Sequence, residues 1–287
     1  MGILPLAPRL NVAHAKGEPA NQTRGGKVKI AVVQQASETG NVDKNQAKAH
    51  DFVRKALEKN PDIIVFHELM MAGYVKNARE LAEPVDGPTT RAFQALLKES
   101  ETLVLYGLAE RAGEHCYSAS TLVGRQGVVA NYRKTHLWWK AGTDVRDETK
   151  YYSPGNELVT FDLKGHKCGI MICYDGKFPE MTRSYANLGC TMLFWPNNRP
   201  TSAHKEVQPL ASANSMIMAV SNACGKNEAG HTCRGASNVT DKDGTLITEI
   251  WDQEGIIYAE VDPSDVLEHR SQNPWWRGQR PDLYHYV

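Results

Sequence analysis

One order of apolar strands and amphipathic helices occurs twice along this chain, and that repetition limits its fold more than any other feature. In the first half, KVKIAVVQQA is a β-branched run suited to a strand. A helix follows, capped by Asn41 and ending near Asn60 before Pro61, with Phe52, Val53, Ala56 and Leu57 on its apolar face. DIIVFHEL then reads as a continuous apolar strand, PTTRAFQALLKES as a helix opened by Pro88, TLVLYGLAE as a strand, and STLVG with GVVANYRKT as two strands around a turn. In the second half KCGIMIC echoes KIAVVQQ, a helix from Pro179 to Leu188 echoes the first helix, and CTMLFWPN echoes DIIVFHEL. MIMAVSNACG echoes TLVLYGLAE, and SNVTDKDGTLITEI echoes the hairpin. Uninterrupted apolar strands are strands covered on both faces. Two such units therefore predict two sheets packed face to face with helices outside, an α/β architecture with an internal pseudo-two-fold repeat.

The repeat starts at Lys27 and reads as one domain over residues 27–287, closed by a C-terminal tail. Residues 1–26 lack periodicity and read as an extension. With 33 basic and 33 acidic side chains the net charge is zero, which gives no reason to expect nucleic acid or an anionic membrane as partner. No run approaches the ~20 apolar residues of a membrane span, and the opening segment has too short an apolar stretch for a secretory signal. A cytoplasmic chain is expected. The six cysteines form no C-x-x-C pair and no zinc-like spacing, so most are expected to be buried thiols.

Three reactive residues stand where apolar strands end. Cys173 closes GIMIC and is followed through Tyr-Asp-Gly by a helix start, a turn that can expose a nucleophile while the next backbone N–H groups face the reacting carbonyl. Glu68 ends DIIVFHE, and Lys134 follows GVVANY. A charge directly after a buried run is otherwise a poor choice. A thiol also needs a base or a cation nearby to attack at neutral pH.

The strings VFHELMMAGY, NYRKTHLW and GIMICYDGKFPE resemble the three catalytic motifs of the nitrilase, or carbon–nitrogen hydrolase, superfamily. The resemblance runs from about Lys27 to Tyr284 and includes YYSPGNE, CRGASNVTDKDG and GQRPDLY. It implies a four-layer α-β-β-α sandwich, a Glu-Lys-Cys triad and no metal or other cofactor. Carried onto this chain, Glu68 would be the general base, Cys173 the nucleophile and Lys134 the stabiliser of the tetrahedral intermediate. The Tyr174 backbone N–H would complete the oxyanion hole, and Glu148 matches a second glutamate beside the triad.

Cys173-Tyr174-Asp175 differs from the Cys-Trp-Glu of true nitrilases and resembles amide-cleaving branches. Carbamoylases of D-amino acids carry paired arginines where only Lys177 stands here, and a Lys is a less directional carboxylate partner. Amide hydrolysis through a thioester is the expectation, with hydrolysis of an N-carbamoyl amine or amino acid as the alternative and a nitrilase or non-catalytic relative behind both. Tyr74, Trp138, Trp139, Trp195 and Asn197 are expected either to line a pocket for a small amide or carbamoyl substrate, with Lys177 and His136, or to pack at its rim or a subunit contact. His136 matches a histidine of several branches and serves equally as a hydrogen-bonding support. HELMM lacks the second histidine of a zinc hydrolase, and a papain-type site would leave Glu68 and Lys134 without a task. The resemblance also implies a homodimer or higher homo-oligomer, consistent with the aromatic tail NPWWRGQRPDLYHYV.

Overall fold

A computed structural model describes residues 25–284, apart from 141, 143, 144, 229 and 231. The first half forms β1 (Val28–Gln34), α1 (Val42–Leu57), β2 (Ile63–Val65), α2 (Ala78–Leu81), α3 (Pro88–Leu96), β3 (Leu103–Ala112), β4 (His115–Gly124) and β5 (Gly127–Arg133). The second forms β6 (Thr160–Leu163), β7 (His166–Ile170), α4 (Pro179–Asn187), β8 (Met192–Asn197), α5 (His204–Asn214), β9 (Ile217–Asn222) and β10 (Cys224–Lys226). It continues through β11 (Thr232–Thr240), β12 (Leu246–Trp251), β13 (Gly255–Val261), α6 (Ser264–Gln272) and α7 (Pro274–Arg277).

Strand order makes the repeat explicit. One sheet runs β13-β1-β2-β3-β4-β5; the other runs β12-β11-β9-β8-β7-β6, with β10 beside the start of β11. In each, three parallel strands (β1-β2-β3 and β7-β8-β9) continue into two antiparallel ones, and an antiparallel strand closes the other side.

Alternation along the strands builds the layers. Ile30, Val32, Ile63, Val65 and Leu105 share one core with Ile170, Ile172, Phe194 and Met218 of the second sheet. The intervening Ala31, Val33, Ile64, Phe66, Val104 and Tyr106 pack instead with Ala49, Val53 and Ala56 of α1 and Phe93 of α3. Met181 and Tyr185 of α4, with Val207 and Ala211 of α5, cover the second sheet. The result is the four-layer α-β-β-α sandwich. Polar ties fix how the sheets meet: Ser221 donates to the Val33 carbonyl at 2.7 Å, and the Ser237 N–H and hydroxyl donate to Gln34 Oε1 at 3.0 and 2.8 Å.

Several expectations are corrected. The first helix ends at Leu57, three residues early, because Asn60 adopts φ +47, a left-handed helix-ending conformation ahead of Pro61. DIIVFHEL is a ladder strand only over Ile63–Val65. β6 and β13 were not anticipated, since they lie outside the repeated unit, and the expected strand MIMAVSNACG divides into β9 and β10; β13 pairs with β1 along its whole length, from Val28↔Val261 to Gln34↔Gly255. Most of the expected extension, residues 1–24, lies outside the described residues. In the aromatic tail Trp275, Leu283 and Tyr284 are about half exposed. Among the described residues no helix is long and apolar enough to cross a membrane.

The chain leaves the β2 ladder in order to aim Glu68. The Glu68 N–H reaches across to the Asn197 carbonyl of the other sheet at 3.3 Å, and Leu69 turns at φ +48. This turn lies directly on β3, where a Cβ at Gly107 would stand 2.4 Å from Leu69 N and 2.6 Å from His67 O. His67 is fully buried, with Nδ1 2.9 Å from the Glu68 carbonyl and Nε2 3.1 Å from the Ser37 hydroxyl. Burial lowers its pKa to about 4.

Two outcomes are expected. Gly107→Ala destabilises the fold by about 1–3 kcal/mol in denaturant unfolding, because the obstructing atoms are backbone; an unchanged midpoint would show that the turn yields freely. His67 stays neutral in the fold while the unfolded chain takes up a proton below its ordinary value of 6.5. Stability therefore falls as pH drops from about 6.5 to about 4 and levels below, with about 3 kcal/mol attributable to this group. Unfolding of His67→Gln across that range should lose that part of the slope; an identical slope would refute the assignment.

Candidate active site

Cys173 sits on an elbow. Ile172 is still extended, at φ −123 and ψ 124, and the next residue turns to φ +41, a region that side chains other than glycine avoid. Residues Cys173–Lys177 form a short 3-10 turn that leads into α4. Its strain is held from both sides. Asp175 accepts the Ile172 N–H at 2.8 Å and donates its own N–H to the Ile172 carbonyl at 2.9 Å. Beneath, the indole N–H of Trp195 donates to the Cys173 carbonyl at 3.1 Å. The fit requires glycine at 176, where a Cβ would lie 2.0 Å from the indole ring.

Lys134 follows β5 and is fully buried, yet Nζ donates to Glu68 Oε1 at 2.7 Å and to Glu148 Oε1 at 2.6 Å. Glu148 is set in a short turn packed on the segment after Lys134. Its N–H donates to the Trp138 carbonyl at 2.9 Å, its Oε2 accepts the Trp138 N–H at 2.6 Å, and its Oε1 also accepts the Tyr74 hydroxyl at 2.9 Å. Glu68 Oε2 is buried without a hydrogen-bond partner. That leaves one carboxylate oxygen uncommitted in the cluster.

Asp175 ties the elbow to the Lys134 strand end. Fully buried, it accepts from the Tyr132 hydroxyl at 2.8 Å, the Thr135 hydroxyl at 3.1 Å and the His136 N–H at 3.0 Å, and His136 Nδ1 lies 2.9 Å away. Residues on both sides of Lys134 are thereby fastened to the turn that carries Cys173.

Charge follows burial. Burial pushes the Cys173 thiol up to about 12, reinforced by Glu68 and opposed by Lys134 and Arg199. Burial works against the Lys134 ammonium, but Glu148, Glu68 and Cys173 together hold its pKa well above the ordinary lysine range. Glu148 lies above the ordinary carboxylate range, raised by burial and by Glu68 while Lys134 opposes. At neutral pH the cluster is an ammonium among carboxyl groups, beside a protonated thiol.

Cys173, 9% exposed, reaches a cleft of about 620 Å³ whose walls include Tyr74, Trp138, Tyr174 and Lys177. Two expected pocket residues lie elsewhere. Trp195 and Asn197 are fully buried in and under β8, the first supporting the elbow and the second donating to the Trp195 carbonyl at 2.8 Å. A strand that extends to Asn197 turns these side chains into the core. His136 stacks on Phe178, centroids 3.7 Å apart, and holds Asp175, while Trp139 is 62% exposed. Arg146, Asn198, Arg199 and Glu228 also line the walls and were not anticipated. Arg199 shares the position just past an apolar strand that singled out Glu68 and Lys134; Arg146 and Glu228 stand in irregular segments with no periodic signal. Among the described residues no cluster of His, Cys, Asp and Glu is disposed to hold a metal ion.

A sequence model described as carbon-nitrogen hydrolase matches residues 29–271. The omega-amidase NIT2 of Homo sapiens is 30% identical over 250 residues, covering 84% of this chain and 91% of the relative. The 2-oxoglutaramate amidase of Bacillus subtilis is 31% identical over 257 residues, covering 85% and 95%. Among solved structures, XC1258 from Xanthomonas campestris, a CN-hydrolase superfamily protein with an arsenic adduct in its active site, superposes with a TM-score of 0.81. It is 20% identical and covers 91% of this chain and 99% of its own. Matched by that family model over most of its length and by curated amidases at 30% identity or more, the chain belongs to the carbon–nitrogen hydrolase family.

Proposed function

We propose that this chain hydrolyses the C–N bond of a small carboxamide to a carboxylic acid and ammonia or an amine, through a thioester on Cys173. One observation carries the reading. Lys134 is clamped by Glu68 and Glu148, while the second oxygen of Glu68 is left without a partner in the buried cluster beside a cleft-lining thiol. The amidases among the relatives favour an amide over a nitrile.

The resting thiol is protonated, so attack and proton transfer go together: Glu68 takes the Cys173 proton as sulfur adds to the amide carbon. Negative charge moves to the carbonyl oxygen, where the Lys134 ammonium and the Tyr174 backbone N–H stabilise it. Collapse breaks the C–N bond, and the leaving nitrogen takes the proton from Glu68. A water then adds to the thioester as Glu68 removes its proton. The second tetrahedral intermediate expels sulfur, which regains a proton, and the acid departs. Glu148, anchored by Tyr74 and the Trp138 N–H, positions Lys134 and keeps its charge.

In ammonia-release assays, Cys173→Ala is expected to abolish turnover and Glu68→Gln to lower kcat about 100- to 10,000-fold. Lys134→Met is expected to lower kcat about 100- to 1,000-fold. Hydroxylamine should divert part of the product to the hydroxamate, since an acyl thioester partitions between nucleophiles. Full activity in Glu68→Gln, or turnover of nitriles alone, would overturn the proposal.

A further inference from the structure

The cleft holds two guanidinium groups in unequal states. Arg146 is occupied: Nε and Nη2 donate to the Glu228 carboxylate, Nη1 donates to the Asn198 carbonyl at 3.1 Å, and the group lies 4.7 Å from the Tyr74 ring centroid. Arg199 is not. Its side chain is only 12% exposed, its Nε is buried with no hydrogen-bond partner, and its contact with Glu206 Oε2 is 3.4 Å. Charge-assisted bonds of this kind ordinarily measure about 2.7–2.9 Å. The other oxygen of Glu206 is taken by the Lys177 ammonium. Two cations of the cleft wall therefore share one carboxylate.

The backbone of Arg199 is fixed on both sides. Its N–H donates to Asn222 Oδ1 at 3.0 Å and its carbonyl accepts from Asn222 Nδ2 at 3.1 Å, while the guanidinium lies 5.1 Å from the Trp195 ring centroid. A guanidinium held in place with an idle buried donor is costly unless something supplies the acceptor. A planar fork of N–H groups suits a carboxylate. The charge of Arg199 is felt at Cys173, where it opposes the rise of the thiol pKa, so the two groups belong to one site.

We infer that Arg199 is the specificity-determining residue of the cleft, binding a carboxylate carried by the substrate with Lys177 at its edge. The inference rests on the amide-hydrolase reading above and narrows it to amides that bear an acid group. That group belongs either to the acyl half, as in the monoamide of a dicarboxylic acid, or to the amine half, as in an N-acyl or N-carbamoyl amino acid.

Both arms, with neutral amides of matched length, are measured on the full chain. One acidic arm should exceed its neutral counterpart in kcat/KM by about 10-fold or more, and which one does so assigns the half. In Arg199→Gln this ratio should collapse, with part of it restored in Arg199→Lys. Independently of turnover, calorimetry of Cys173→Ala with the preferred acid, or with succinic and glutaric monoamides if none is turned over, should show binding that weakens about 30-fold or more when Arg199 is also replaced by Gln. Equal kcat/KM for acidic and neutral amides, or a ratio unchanged in Arg199→Gln, would overturn the inference and leave amide hydrolysis standing. If no amide is cleaved, the functional reading falls, and the calorimetry alone decides for or against Arg199.

Discussion

A lysine ammonium buried between two carboxyl groups is the constraint around which the rest of this molecule is arranged. Removing such charges from water is expensive, and their attraction offsets the cost only when geometry is good and the remaining lone pairs are satisfied. Here nearly all are: Lys134 reaches both glutamates, and Tyr74 and the Trp138 N–H complete Glu148. The exception is Glu68 Oε2. Within this ion cluster that oxygen is the one carboxylate position left without a hydrogen-bond partner.

The two-sheet sandwich explains how three distant segments meet. Parallel strands within each sheet direct their carboxyl ends the same way, and the face-to-face stacking brings the end of β2 against the end of β8 through the Glu68 N–H and Asn197 carbonyl. β5, the edge strand of the first sheet, delivers Lys134. Asp175 then bonds to Tyr132, Thr135 and His136 across the gap, so the elbow and the lysine strand cannot drift apart independently.

Much of this was legible in the residues. The repeated order of elements anticipated both sheets; Glu68 and Lys134 stood out because each places a charge at the end of an apolar run, where burial would otherwise be unfavourable, and Cys173 because its strand gives way to a helix start. The same rule misled at Trp195 and Asn197. β8 runs for six residues where β2 runs for three, so side chains that follow the apolar run still point into the core. Arg146 and Glu228 were illegible for a different reason: they meet across 82 positions of sequence in irregular segments, and no local pattern encodes that pairing.

The depth at which Cys173 is held has a consequence for its survival. Peroxides and other oxidants react with thiolates, and the first step of irreversible sulfur damage depends on the thiolate fraction and on access. Burial keeps this sulfur almost entirely as the thiol and gives it only a small window onto solvent. On the proposed mechanism its nucleophilicity is latent, released only when an occupant of the cleft draws the proton towards Glu68. The burial that disfavours ionisation of this residue also shelters it from oxidants.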